Sequence, residues 1–182
     1  MADRSSRTVE IVPVTEDNWR TYRDVRLAAL LDTPRAFANT YAVSAAYPEA
    51  SWLARLRTMR VWLAFVDDRP VGTVSLWHSQ DQPDEEVYLI GMWVSASARG
   101  AGVGDLLVAT ALDAAGESGY SRVHLEVAEE NLPAQRLYER HGFVRTGTTW
   151  ENPLYGGILE IGYAVRVDPG CSSSVASATV GA

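Results

Sequence analysis

The stretch Arg99-Gly100-Ala101-Gly102-Val103-Gly104 stands between a strand-like run and a helix-like run, and it limits the fold more than any other segment. Upstream, Glu86–Val94 is apolar and aromatic enough to form a strand. Downstream, Val103–Ser118 puts Val103, Leu106, Leu107, Ala111 and Ala114 on one helical face. Arg122–Ala128 then reads as a second strand, and a strand–helix–strand unit of this length closes as a right-handed parallel crossover. Three glycines in five residues let the backbone turn tightly and come close to a ligand. The free N–H groups of such a turn, added to the positive end of the next helix, form an anion site suited to pyrophosphate. Two familiar phosphate loops are excluded. A P-loop needs Gly-Lys-Ser/Thr, and a dinucleotide fingerprint needs a glycine where Leu107 stands.

The rest of the chain supplies antiparallel partners for that unit. Thr8–Val14 alternates like a strand, and Thr15 is placed to cap a helix carrying Glu16 and Asp17 in its first turn. Trp19, Tyr22, Arg26 and Leu30 follow at helical spacing, and Asp32-Thr-Pro34 ends that helix. A second helix is expected from Pro48 to about Met59. Val61–Val66 and Val71–Trp77 form a hairpin across Asp67–Pro70, and the polar loop Ser79–Glu85 leads into Glu86–Val94. Pro133–His141 is a short helix with proline in its first turn, and Phe143–Trp150 and Ile158–Val167 are closing strands. The order β-α-α-β-β-β-α-β-α-β-β describes one mixed α/β (α+β) domain over residues 8–167, its sheet mostly antiparallel. The tail, 168–182, is small and uncharged after Asp168 and reads as disordered.

Charge and composition remove several functions. All 16 basic residues are arginine, so lysine Schiff-base, lysine general-base and P-loop chemistry are absent from this chain. A net charge of −7 disfavours nonspecific nucleic-acid binding. Residues 1–60 hold 9 arginines against 7 acids, so the acidity lies in the remainder. Cys171 is the single cysteine and cannot form an internal disulfide. His78, His124 and His141 lack metal-ligand spacing, so no metal is expected. No apolar run nears the roughly 18 residues of a membrane span, and residues 1–14 lack a signal-peptide core. These readings point to a cytoplasmic protein without a membrane partner.

A second motif gives the glycine turn its meaning: Asn131-Leu-Pro-Ala134-Gln-Arg-Leu137-Tyr138-Glu-Arg-His-Gly142-Phe143. The pair of motifs resembles the GNAT superfamily of acyl-CoA-dependent N-acyltransferases, whose Arg/Gln-x-x-Gly-x-Gly/Ala loop matches Arg99 to Gly104. The resemblance implies a sheet splayed between two central parallel strands, here Glu86–Val94 and Arg122–Ala128. It also implies that acetyl-CoA enters that gap. Met92, Trp93 and Val94 would pair with the pantetheine arm, and Arg99, Gly100, Ala101, Gly102, Val103 and Gly104 would hold the pyrophosphate. Asn131 would contact the cofactor, and Arg136 would reach a phosphate.

In chemical terms, the resemblance implies direct attack of an amine on the thioester, with Tyr138 protonating the departing thiolate. The general base is assigned to Glu86, which shares a strand face with Tyr88 and Ile90; Glu126, beside His124, is the runner-up. The run Arg26–Phe37 is similar to a recurrent opening of bacterial small-molecule enzymes of the superfamily. Asp81, Asp84, Glu85 and Glu86 suggest a cationic acceptor such as an aminoglycoside-like antibiotic or a polyamine. A peptide α-amine acceptor and a non-catalytic CoA-binding sensor are the competing readings. Dimers are common in the superfamily, so a homodimer is among the expectations it brings.

Overall fold

The computed structural model describes residues 7–170 and 179–180. Its strands are β1 (Arg7–Pro13), β2 (Met59–Val66), β3 (Arg69–Trp77), β4 (Glu86–Val94), β5 (Arg122–Ala128), β6 (Val144–Asn152), β7 (Ile158–Arg166) and β8 (Thr179–Val180). Its helices are α1 (Trp19–Asp32), α2 (Tyr41–Ala45), α3 (Glu49–Thr58), α4 (Val103–Glu117) and α5 (Leu132–Arg140). One sheet holds the strands in the order β6-β7-β5-β4-β3-β2-β1-β8, and β4–β5 is its one parallel pair among the described residues.

The strands of the sheet centre are apolar on both faces because helices cover both. On β2, Trp62 and Ala64 join the core under α4, while Val61 and Leu63 pack with Trp19, Tyr22 and Val25 of α1 and Trp52 of α3. Successive strand residues point to opposite faces, so a continuous buried run is what a two-sided sheet requires. Leu107 of α4 is 0% exposed, and truncating such a leucine costs about 2–5 kcal/mol. The β2–β3 hairpin turns through Asp67 and Asp68, both left-handed with φ of 49° and 60°, the pair of signs that matches strand twist.

Three local readings change. Asn18, not Thr15, precedes α1: the Thr15 N–H donates to Asn18 Oδ1 (2.8 Å), and Asn18 Nδ2 donates to the Pro13 carbonyl (3.1 Å). That closed turn places Glu16 and Asp17 before the helix rather than in it. A short extra helix, α2, is capped by Thr40 Oγ1 accepting from the Val43 N–H; five residues are too few to present a periodic face in sequence. Of the tail, Thr179–Val180 pairs with Arg7–Thr8. Residues 171–178 and 181–182, with Cys171 among them, lie outside the described residues.

Candidate active site

The parallel pair opens into a cleft. β4 and β5 are in register only at Glu86–Arg122, Val87–Val123 and Tyr88–His124. Beyond Tyr88, β5 stays paired to β7 as far as Ala128–Glu160, while β4 follows β3 through a bulge between Ser75–Ile90 and Thr73–Trp93. Gly91 sits in the bulge at φ 65°, a conformation that bends the strand and that side chains resist. The two strands therefore separate, leaving a cavity of about 860 Å³ between them. Such a gap offers unpaired strand backbone to an extended ligand, as a sheet edge does.

The glycine turn forms one end of the cavity. Gly100 and Gly102 are left-handed at φ 78° and 77°, and Gly102 directly precedes α4. The first amides of α4 have no carbonyl within their helix, which leaves them for an anion. Gly104 serves packing: a Cβ there would come within 3.2 Å of Leu137 Cδ2 and 3.5 Å of Met92 Cε. Arg99 lines the cavity and ties the turn to α1, bonding Asp32 Oδ2 and, through Nε, the Val94 carbonyl (2.9 Å). The Trp93 indole donates to the same Asp32 oxygen (3.0 Å). Those two donors, the indole first, hold the Asp32 carboxyl below its ordinary pKa.

Most residues singled out in the sequence meet here. Met92, Trp93, Val94, Arg99, Gly100, Gly102, Gly104, Asn131 and Tyr138 all line the cavity. Asn131 is also the N-cap of α5, its Oδ1 accepting from the Ala134 N–H (3.3 Å). Ala101 is exposed and Val103 is buried in the core, so each can serve the turn through its backbone. Arg136 is exposed and stands off the cavity; Arg140, one helical turn on, lines it and bonds Asp105 (3.0 and 3.1 Å).

Tyr138 and Glu126 bring titratable groups to the cavity lining. Tyr138 is 6% exposed, packs edge-on to Phe143 (5.7 Å) and lines the cavity. Burial pushes its hydroxyl well above the ordinary tyrosine pKa, so it stays protonated across physiological pH. Glu126 opens to the cavity from β5. Desolvation by the cleft wall, then the nearby Glu160 carboxylate, raise its pKa. Glu86 does not line the cavity. It faces Arg122 (3.6 Å) and lies 2.9 Å from His124 Nε2, within ion-pair reach but off hydrogen-bond alignment. The reason is register: Glu86 falls where the two strands are still paired, while Glu126 falls past the point of separation. Asp81, Asp84 and Glu85 also stand outside the cavity lining.

The sequence profile of the Acetyltransferase (GNAT) family matches residues 14–143, about the span from α1 through α5. The chain belongs to the GNAT family. Among curated relatives, human N-acetyltransferase 8B is 33% identical over 91 residues, covering 49% of this chain and 40% of its own. Mycothiol acetyltransferase of Corynebacterium aurimucosum is 40% identical over 68 residues, covering 37% of this chain and 22% of its own. The matches thus span less than half the length of these relatives. Among solved structures, yncA of Salmonella typhimurium with its cofactor acetyl-CoA superposes with a TM-score of 0.72 at 17% identity, over 92% of this chain and 99% of that one. That likeness is one of fold.

Within this GNAT chain the sequence reading did not place two arginines at the cavity. Arg26 of α1 and Arg55 of α3 both line the cavity. Arg26 is 8% exposed and its guanidinium stacks on Phe37 at 4.2 Å. Burial, with Arg55 nearby, lowers its pKa to about 10. A signal was present in the sequence: a charged residue at a core position of an otherwise apolar helical face.

Proposed function

We propose that this GNAT chain is an acetyl-CoA-dependent N-acetyltransferase that acetylates the primary amine of a small molecule by direct attack in a ternary complex. The observation that carries the reading is the splayed β4–β5 cleft, with the glycine turn at one end and Tyr138 and Glu126 in its walls. Acetyl-CoA supplies the activated acetyl group. Glu126 takes a proton from the bound ammonium, directly or through water, so that the amine lone pair is free. The nitrogen forms a bond to the acetyl carbon, the carbon–sulfur bond breaks, and Tyr138 hands its proton to the leaving thiolate. The products are the acetamide and CoA thiol. Glu126 then loses its proton to solvent and Tyr138 regains one.

A bridge between two segments that border the cavity supports a small acceptor over a peptide. Arg35, in the turn after α1, donates to Glu130 (2.8 Å) in the β5–α5 loop and to the Tyr155 carbonyl (3.0 Å). This strap joins the N-terminal helices to the far half of the molecule. The test is release of CoA thiol from acetyl-CoA across amino acids, amines, polyamines, aminoglycosides and short peptides. Turnover of one or more small amines is expected; turnover of peptides alone would replace the small-molecule reading, and none at all would remove the enzyme.

A further inference from the structure

Arg26 and Arg55 remain without partners for their most buried nitrogens. Arg26 Nη1 and Arg55 Nε are shielded from solvent and reach no hydrogen-bond acceptor. A buried guanidinium N–H with no acceptor carries a desolvation cost that native structures seldom keep without a use. The Arg26 Nη1 points to the β4 bulge: it lies 3.8 Å from where a Cβ on Gly91 would stand. It is thus beside the strand segment past the separation point, inside the cavity wall. Phe37 covers one side of the guanidinium, and both residues line the cleft.

Away from the glycine turn, where Arg99, Asp105 and Arg140 lie, charge in the cleft is divided by element. The helices over β2 and β3 contribute Arg26 and Arg55, while β5 and β7, across the gap, contribute Glu126 and Glu160. Glu160 accepts a hydrogen bond from buried Asn152 (3.0 Å), which fixes its carboxylate on that wall. A polycationic acceptor would have to seat a positive charge against the buried guanidinium of Arg26 and the partly buried one of Arg55, which is unfavourable in a partly dry site. A molecule with an ammonium at one end and a carboxylate at the other meets opposite charge on both walls.

We infer that the acceptor of this site carries a carboxylate as well as its amine, as an amino acid does, and that Arg26 and Arg55 bind that carboxylate. The inference rests on the acetyltransferase reading above, and the planar guanidinium fork suits a carboxylate in two-point contact. It replaces the expectation of an aminoglycoside-like or polyamine acceptor.

The test compares L-amino acids with their decarboxylated amines and their methyl esters in the thiol-release assay, using the full chain. The acids are expected to exceed their matched amines in kcat/KM by roughly 10- to 100-fold, the range of a charge-assisted hydrogen bond or two. In Arg26→Met and in Arg55→Met that ratio is expected to fall toward one; two variants guard against one failing to fold. Calorimetry of N-acetylamino acids against N-acetylamines, with CoA present, reads carboxylate recognition without turnover. Acids and esters used equally well, or ratios unchanged in both folded variants, overturn the inference. Absence of any turnover with a calorimetric preference for the acid removes the enzyme reading and keeps the carboxylate site. No turnover and no such preference removes both.

Discussion

Glu126 of β5 and Glu160 of β7 are diagonal neighbours on one face of the sheet, Glu126 opposite Gly162 and Glu160 opposite Ala128. The Glu160 charge adds to the desolvation that raises the pKa of Glu126. Glu126, whose affinity for a proton is raised in this way, is the better placed of the two to serve as a base.

Glu126→Gln is expected to lower kcat by about 10²- to 10⁴-fold. A base must be deprotonated to act, so kcat/KM should rise with pH through an apparent pKa above the usual carboxylate range. Removing the second charge in Glu160→Gln weakens the repulsion and moves that limb to lower pH, though not fully, since desolvation is the larger cause. A limb that stays in place in Glu160→Gln would assign it to another group.

Tyr138→Phe keeps the ring against Phe143 and deletes the proton donor. The variant should fold normally and bind acetyl-CoA with nearly unchanged affinity, while kcat drops by about 10²-fold or more. Stopped-flow turnover with parallel acetyl-CoA titration separates the two quantities. Unchanged turnover would take the acid role from Tyr138.

At Gly102, φ of 77° places the residue where a β-branched side chain is strained. Gly102→Val is expected to distort the turn and abolish acetyl-CoA binding at concentrations that saturate the wild type. Gly102→Asn, which tolerates the left-handed region, should retain much of it. Equal binding by both folded variants would mean that the turn does not hold the pyrophosphate.

Arg26 predicts a trade between stability and use. Its folded pKa of about 10 lies well below the ordinary arginine value, so the charged form is disfavoured by folding. The penalty is present at every pH below about 10 and is relieved as pH rises through that value. Arg26→Met should therefore stabilise the protein at pH 7, by about 1–3 kcal/mol, after the lost stacking on Phe37 is deducted. Urea unfolding at pH 7 checks the sign; a loss of stability would show that the guanidinium is better satisfied than its surroundings imply.

Much of the fold was legible because its determinants are local. Period-2 and helical spacing located every strand from β1 to β7 and four of the five helices within about two residues at most boundaries. The glycine turn and the Asn131–Phe143 run, read together, named the family and placed Tyr138, since the backbone of a turn and the cap of a helix are written in consecutive residues. The helix start at Asn18 was missed because Thr15 and Asn18, three residues apart, are both residue types that suit a cap, and only a hydrogen bond back to Pro13 chooses between them.

The carboxylate that enters the cleft and the arginines of its wall were not legible in that way. Which of Glu86 and Glu126 enters the cleft depends on where two strands 30 and more residues apart stop pairing, and that point is set by the Gly91 bulge and by β7 holding β5. Arg26 looks in sequence like one more helical position, and only packing reveals that its Nη1 is shielded, without a hydrogen-bond acceptor and beside Gly91. Spacing along the chain encodes turns, faces and caps, whereas desolvation and charge pairing belong to residues brought together from different elements, and these determine what the cleft can bind.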